Sequence, residues 1–206
     1  MRDPLGRLFP RLPREVRVAL DWIITIGGAI LIVFALKAWI VNPYRIPSSS
    51  MEPTLHCAKP APGCEAAGGF FSGSDRVLAN RFIYHFRDPN RGEIIVFKTP
   101  PGVEQKCGAG GTFVKRLIGL PGEVVSERDG IVFIDGKMLN EPYISPDRRD
   151  HEPPRSWARI APDHYFFMGD NRSQSCDSRV WGPVPRKNLI GEVFFVYWPP
   201  NRIGFR

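Results

Sequence analysis

The chain has 206 residues, of which 28 are Lys or Arg and 21 are Asp or Glu, giving a formal net charge of +7. This length allows one membrane segment together with one domain of ordinary size. The positive charge does not form a basic run interleaved with aromatic residues, so the sequence does not indicate a nucleic-acid partner.

The first predicted element is a membrane anchor. "ALDWIITIGGAILIVFALKAWIV", residues 19–41, is long enough at ~1.5 Å per residue to cross a hydrocarbon core of ~30 Å. It is apolar on all faces, which argues against a striped core helix, and it is longer than the apolar part of a cleaved leader. Asp21 and Lys37 lie near its ends, and Trp22 and Trp39 suit the two membrane interfaces. We therefore expect a retained anchor.

The residues before the anchor set its expected orientation. They carry five arginines against two acidic residues, and such basic flanks resist translocation. The arginines are Arg2, Arg7, Arg11, Arg14 and Arg17. The sequence thus predicts a cytoplasmic N-terminus in residues 1–17, an anchor in residues 18–41 and an extracytoplasmic domain in residues 42–206.

Beyond the anchor, short apolar runs are separated by Gly, Pro and Asp-Gly signals. Asp129-Gly130 and Asp135-Gly136 have the composition of tight hairpin turns. The predicted strands are Arg76–Tyr84, Glu93–Lys98, Thr112–Ile118, Glu123–Ser126, Ile131–Ile134, His164–Met168 and Gly191–Trp198. Because no amphipathic helix of three or more turns is evident, we expect a mainly β fold of antiparallel sheets, as a sandwich or a barrel-like arrangement.

Two longer segments, His56–Asp75 and Ser145–Asp163, are interpreted as loop insertions and are expected to be mobile. The four cysteines (Cys57, Cys64, Cys107 and Cys176) all follow the anchor, in a compartment where disulfides can form. They allow three complete pairings, and the sequence does not choose among them, although Cys57 with Cys64 is the economical pairing. A zinc site at His56, Cys57 and Cys64 lacks a fourth ligand at suitable spacing, so we expect neither a metal nor a cofactor.

A possible nucleophile lies in "PSSSMEPTL", residues 47–55, where three serines follow the anchor in a proline-bounded loop. The same composition also suits a linker. No Gly-x-Ser-x-Gly turn surrounds these serines, and none of the four histidines has an acidic partner whose spacing indicates a triad. A serine nucleophile would therefore need another base, and a neutral lysine can serve as one.

Lys115, in "TFVKRLIGLPGE", has the neighbours that such a base requires. It lies between Phe113-Val114 and Leu117-Ile118 in a predicted strand. A free lysine with a pKa of ~10.4 is neutral in only about one molecule in a few thousand at pH 7, whereas apolar burial lowers the pKa by ~3 units. A lysine in an apolar strand also protects sheet edges from aggregation, so the strand alone leaves both interpretations open.

The last motif, "MGDNRSQSCDSRVWGPVP", residues 168–185, concentrates Asp and Arg among small polar residues. Such a loop is either a structural network of ion pairs or the wall of a site, and both can hold because a site needs rigid bracing.

Together, "PSSSMEPTL", "GSDRVLANRFIY", "FVKRLIGLPGE" and "GDNRSQSCDSRVWG" resemble, in this order, the sequence blocks of bacterial type I signal peptidases. The resemblance covers Tyr44 to about Gly191. It implies a β-rich endopeptidase with a Ser/Lys dyad that removes signal peptides from exported pre-proteins. It also implies residence in the bacterial inner membrane, with the lipid bilayer and signal-peptide-bearing pre-proteins as partners.

The resemblance further implies a role for each matching residue. Ser50 is the expected nucleophile and Lys115 the expected general base. Ser48 is expected to complete an oxyanion hole with the Ser50 backbone N–H, and Ser175 to orient the lysine amine through a hydrogen bond. Expected supporting residues are Asp177 with Arg179, together with Asp170, Arg172 and Arg116. Expected substrate-binding residues are Tyr44, Ile46, Met51, Phe113 and Val114.

Some features differ from the family pattern. Many relatives carry two anchoring segments, whereas this chain shows one, and residues 56–75 form a longer link than usual. Two alternatives stay open at this point. One is a Ser/Lys peptidase dedicated to a single substrate such as a conjugation-pilus subunit, and the other is a non-enzymatic anchored β domain that binds extracytoplasmic partners.

Overall fold

The computed structural model describes residues 13–39, 41–59, 61–64 and 73–206. The chain divides into two units, Met1–Val41 and Asn42–Arg206. Arg2, Arg7 and Arg11 of the basic N-terminal segment lie outside the described residues.

The first unit contains a long helix, α1, which spans Arg14–Trp39. Its 26 residues correspond to a length of ~39 Å, enough to cross a hydrocarbon core. Within the described residues it is the one helix long and apolar enough to span a membrane, and none of its apolar window is buried. Trp22 is 63% exposed, whereas the side chains of Lys37 and Trp39 lie outside the described part. A helix with apolar side chains exposed all round requires an apolar surrounding.

The second unit is mainly β, and the strands of its larger, eight-stranded sheet pair in the order β1-β2-β11-β3-β4-β9-β10, with β12 also on β11. This sheet curls into a half-barrel, which confirms the predicted mainly β, barrel-like fold. Its strands are β1 Val41–Arg45, β2 Arg76–Asn80, β3 Ile94–Lys98, β4 Thr112–Gly119, β9 His164–Met168, β10 Val184–Pro185, β11 Leu189–Trp198 and β12 Gly204–Phe205. Two short helices, α2 Val103–Cys107 and α3 Ser178–Trp181, flank it.

A smaller sheet has the order β7-β6-β5-β8. Its strands are β5 Val125–Arg128, β6 Ile131–Ile134, β7 Lys137–Met138 and β8 Arg155–Ser156. Asp129 and Gly130 have φ of 51° and 71°, and Asp135 and Gly136 have φ of 48° and 80°. Positive φ at both central residues is the conformation of tight two-residue hairpins, so both predicted Asp-Gly turns are confirmed.

The core explains why β3 has a continuous apolar sequence. Ile94 and Val96 pack into one buried cluster, and Ile95 and Phe97 pack into a second. Successive side chains of a strand point to opposite faces, so a strand buried on both faces needs apolar residues throughout. A third cluster, which includes Ile118, Val125 and Phe166, joins the two sheets.

The first predicted strand was too long, because β2 ends at Asn80. The side-chain Oδ1 of Asn80 accepts hydrogen bonds from the backbone N–H groups of Phe82 and Ile83, at 3.0 and 3.2 Å. An asparagine that bonds the backbone two or three residues onward turns the chain. Residues Ile83–His85 accordingly form a 3₁₀ turn.

The cysteines form two disulfides, Cys57–Cys64 and Cys107–Cys176. The first confirms the economical pairing, and the second spans 69 residues of sequence. Much of the segment His56–Asp75 lies outside the described residues. Ser145–Asp163 contributes β8 to the smaller sheet and buries Ile160, which is 2% exposed.

Candidate active site

The three serines form a turn directly after β1. Ser49–Met51 is a 3₁₀ turn in which Ser49 and Ser50 are each 8% exposed. The hydroxyl oxygens of Ser48 and Ser50 lie 3.3 Å apart. Asn171 fixes the turn, because its backbone N–H donates to Ser50 O at 3.1 Å and its side-chain amide donates to Ser49 O at 3.1 Å. Two of the serines thus hold their hydroxyls side by side on a turn with a fixed backbone.

His56, the histidine nearest to these serines in sequence, has a different partner. Its Nδ1 contacts Glu52 Oε2, and Glu52 itself is fully buried. The other oxygen of Glu52 accepts the backbone N–H of Cys57 at 3.0 Å. This carboxylate joins the end of the serine turn to the first disulfide, so His56 has a structural role.

Lys115 lies in β4 opposite Ile95 of β3 and is 3% exposed. Burial lowers the pKa of Lys115 to about 8, while the charges of Asp177 and Asp170 partly oppose this shift and that of Arg179 adds to it. Its Nζ lies 5.6 Å from the centre of the Phe113 ring. The apolar neighbours expected from the sequence therefore produce the desolvation that a neutral amine requires.

Ser50 and Lys115 open onto one cavity of about 380 Å³. The five residues expected to bind substrate also line it, as do Ser48 and Gln174. The complete lining is Tyr44, Arg45, Ile46, Pro47, Ser48, Ser50, Met51, Cys107, Ala109, Gly110, Thr112, Phe113, Val114, Lys115, Gln174 and Cys176. Among these described residues there is no histidine, and Lys115 is the basic group of lowered pKa in the same lining as the two serines.

The loop after β9 contributes Gln174 and Cys176 to the cavity lining and also carries the charged residues of the last motif, so it is called the charged loop. Arg179 Nε donates to Asp177 Oδ1 at 2.8 Å, and Asp177 is fully buried. Burial alone would raise the pKa of Asp177, but Arg179 and the backbone N–H of Gly169 hold it below its usual value. Arg179 Nη1 also donates to Asp150 at 2.7 Å. The expected Asp177–Arg179 pair is thus formed, and the carboxylate of Asp150 also bonds to the guanidinium of Arg179.

The two other charged residues of this loop have separate partners. Asp170 accepts a bidentate pair of hydrogen bonds from Arg116, at 2.8 and 2.6 Å, and a third from Thr54 Oγ1 at 2.5 Å. Arg172 pairs with Glu141, which is 31 residues away in sequence, and donates to Gly169 O at 3.1 Å. Asp170 and Arg172 therefore support the site through different elements, not through each other.

Ser175 differs from its expected arrangement. Its Oγ is buried and has no hydrogen-bond partner among the described residues, so the expected bond to Lys115 is not formed. A Cβ at Gly169 would lie 2.3 Å from Ser175 Oγ and 2.4 Å from Ser50 O. Only glycine at position 169 therefore allows Ser175 to approach the turn that holds Ser50.

The site contains residues that sequence reasoning missed. Five residues fix the serine turn or the charged loop through contacts that are distant in sequence. They are Asn171, Gln174, Glu141, Asp150 and Gly169. Asn171 and Gln174 belong to the last motif, residues 168–185, so their position gave a signal. The segments that contain Glu141 and Asp150 gave none.

Three comparisons relate this chain to known proteins. The family model described as "Signal peptidase, peptidase S26" matches residues 19–198. The chain is 36% identical to "Probable signal peptidase I-2" of Synechocystis sp., over 87% of this chain and 73% of that protein. It is 34% identical to "Signal peptidase I" of Leptolyngbya laminosa, over 93% of this chain and 86% of that protein. The crystal structure of a signal peptidase I from Enterococcus faecalis aligns with a TM-score of 0.42 at 30% identity, covering 52% of this chain and 97% of that one.

Proposed function

The chain belongs to the signal peptidase family, peptidase S26, and on that premise we propose that it is a membrane-anchored serine endopeptidase that removes signal peptides from exported pre-proteins. Ser50 is the nucleophile and Lys115 is the general base. The observation that carries these roles is that a serine turn and a buried lysine with a pKa of about 8 open onto one cavity.

The lowered pKa makes the lysine usable near neutral pH. With a pKa of about 8, about one Lys115 in ten is neutral at pH 7, against about three in ten thousand for an unperturbed lysine. The neutral amine takes the Ser50 proton as Ser50 Oγ attacks the scissile carbonyl carbon. The resulting ammonium then protonates the departing amine, and water later hydrolyses the ester formed with Ser50.

The developing oxyanion needs donors that are already in place. We assign this role to the Ser50 backbone N–H and the Ser48 hydroxyl, because Ser48 Oγ lies 3.3 Å from Ser50 Oγ. The loss of one such donor usually costs 10²–10³ in kcat.

The substrate chain fits beside β4 as an added strand. Residues Thr112 to Lys115 pair with β3 on one side, whereas β9 pairs with β4 only from Arg116 to Gly119 in the described residues. The first half of β4 therefore offers an open edge next to the cavity, and an extended peptide can bond to such an edge. Ile46, Met51 and Val114 give the nearby cavity apolar walls that suit small side chains.

The anchor fits this substrate class. The sequence separates Val41 from Ser50 by only nine residues, which reach at most ~30 Å when fully extended. A serine that follows the anchor so closely in sequence suits a substrate whose cleavage site emerges where its apolar stretch leaves the bilayer. The basic flank of α1 supports a cytoplasmic N-terminus and an extracytoplasmic catalytic unit in the inner membrane.

The test uses the full chain in detergent and a set of pre-proteins with unrelated signal sequences. We expect wild type to release each mature protein, with the cleavage site identified by mass spectrometry, and Ser50→Ala to release none. Ser49→Ala is the matched control, because Ser49 lies on the same turn but its hydroxyl donates to Gln174 at 3.1 Å. Loss of activity in Ser49→Ala with retention in Ser50→Ala would refute the assignment, and cleavage of a single substrate class would indicate a dedicated processing peptidase.

A further inference from the structure

The disulfide Cys107–Cys176 lies in the wall of the catalytic cavity. Both cysteines line the cavity that holds Ser50 and Lys115. Cys107 ends the short helix α2, whereas Cys176 stands in the charged loop, 69 residues further along the chain. The bridge therefore joins two separate walls of one site.

The wall on the Cys107 side is intrinsically flexible. Four residues connect Cys107 to the start of β4, namely Gly108, Ala109, Gly110 and Gly111. The φ angles of Gly108 and Gly111 are 67° and 92°. Ala109 and Gly110 line the cavity. Gly111 is held by Thr99, through hydrogen bonds of 2.8 and 3.0 Å. A glycine-rich segment samples many conformations unless both of its ends are fixed, and the disulfide fixes the other end.

The wall on the Cys176 side is adjacent in sequence to a charge that acts on the catalytic lysine. Cys176 lies between Ser175, whose buried Oγ has no partner in the described part of the chain, and Asp177, whose charge acts on Lys115. Arg179 Nη2 donates to Ser175 O at 3.2 Å and to Asp177 Oδ2 at 3.0 Å. A shift of Cys176 would therefore move both neighbours relative to Lys115.

We propose that Cys107 and Cys176 are positioning residues of the peptidase. Their bridge holds the Ala109–Gly110 wall of the cavity against the 175–177 loop. The substrate groove therefore stays narrow, and water is kept away from Lys115. This role rests on the proposed function of the site. The bridge acts on the groove through the glycine-rich wall and on the base through Ser175 and Asp177.

The chain provides its own control. Cys57–Cys64 closes a loop with a sequence separation of 7, and neither cysteine lines the cavity. Cys57 is fully buried and packs in the first core cluster. Loss of the Cys57–Cys64 bridge removes a disulfide from the same unit without changing a residue of the cavity lining.

The experiment compares the pair of variants Cys107→Ala/Cys176→Ala and Cys57→Ala/Cys64→Ala, each of which keeps one bridge. For the full chain in detergent, kcat and KM for a pre-protein peptide are measured from pH 6 to 10. In the first variant we expect a raised KM, an acid limb of kcat/KM shifted upward by about one pH unit, and about tenfold lower kcat/KM at pH 7. The shift arises because water that reaches Lys115 weakens its desolvation, while Asp177, Arg179 and Asp170 stay in place. In the second variant we expect kinetics within about twofold of wild type.

Reduction provides an independent route that does not depend on folding without the bridge. Dithiothreitol added to folded Cys57→Ala/Cys64→Ala transfers two electrons and two protons to the remaining bridge, giving two cysteine thiols and cyclic oxidised dithiothreitol. We expect this treatment to reproduce the kinetics of Cys107→Ala/Cys176→Ala, which should itself be insensitive to the reagent. An unchanged KM and pH profile after loss of the cavity bridge, or equal losses in the two variants, would overturn the proposal. Inactivity of wild type would instead contradict the proposed function.

Discussion

The two faces of β4 bury two adjacent cations in opposite ways. Lys115 is 3% exposed and has no ion pair in the described residues, and burial lowers its pKa to about 8. Arg116 is 8% exposed and pairs bidentately with Asp170. Desolvation would lower the pKa of Arg116, but the hydrogen bonds and charge of Asp170 outweigh it, so the pKa is raised.

The presence or absence of a carboxylate partner decides which buried cation can take part in chemistry. A buried cation with a carboxylate partner stays charged and links two elements, whereas a buried amine without one is poised to give up its proton. Proton transfer and structural bracing are thus assigned to neighbouring residues whose side chains point to opposite faces of a strand. Removing each cation in turn separates the two roles.

The largest expected effect is the loss of activity in Lys115→Met. Methionine keeps the length and the apolar stem but has no amine, so kcat/KM should fall by at least about 10⁴-fold. The measurement is cleavage of a pre-protein by the full chain in detergent. Lys98→Met, at the exposed end of β3, is the control and should retain activity. Activity within tenfold of wild type in Lys115→Met would end the claim that Lys115 is the base.

Arg116→Met should act on stability instead. It leaves the fully buried Asp170 with the Thr54 hydroxyl but without its guanidinium, and such a loss costs about 3–5 kcal/mol in the free energy of unfolding. Urea unfolding followed by tryptophan fluorescence measures this change. Lys137→Met in the exposed strand β7 should change stability by less than about 0.5 kcal/mol. Equal effects in the two variants would contradict a bracing role for Arg116.

Ser48→Ala tests whether the Ser48 hydroxyl, which lies in the cavity lining, acts in catalysis and not in stability. If the Ser48 hydroxyl stabilises the oxyanion, its removal should lower kcat by about 10²-fold with little change in KM. Unfolding in urea should be almost unaffected, because Ser48 is exposed. A rise in KM at constant kcat would indicate that Ser48 binds the ground state of the substrate.

A further expected effect of Lys115→Met is a gain in stability. The pKa of Lys115 falls from 10.5 to about 8 on folding, so below pH 8 the buried ammonium costs up to about 3 kcal/mol. This cost declines as pH rises from 8 to 10.5, because only the unfolded chain still binds the proton, and it vanishes above 10.5. Lys115→Met should therefore be more stable than wild type at pH 7 and equal to it near pH 10.5. A difference in the free energy of unfolding that does not change with pH would contradict the lowered pKa of Lys115 in the folded protein.

Local patterns in the sequence predicted a large part of the fold and the burial of Lys115. The apolar neighbours of Lys115 lie within three positions along one strand, and the Asp-Gly turns specify their own conformation. The resemblance to signal peptidases supplied Ser50 among three serines. These features depend on residues close together in the chain.

Long-range partners could not be read in this way. The Arg172–Glu141 pair joins residues 31 positions apart, and the Cys107–Cys176 bridge joins residues 69 apart. The Asn80 side chain ended β2 early because its hydrogen bonds to the backbone overrode an apolar pattern that continued to Tyr84. Which charges and thiols meet is decided by the packing of the sheets, and no local periodicity records it.

The pH dependence of kcat/KM tests the role of Lys115 most directly, because it reports groups of the free enzyme. Because the neutral amine is the active form, kcat/KM for a pre-protein peptide should rise about tenfold per pH unit below pH 8 and level off above it. An inflection near pH 8 is the result predicted for a base kept neutral by burial. A profile with its inflection near 6.5, as for a histidine, or near 10.4, as for a solvated lysine, would contradict it.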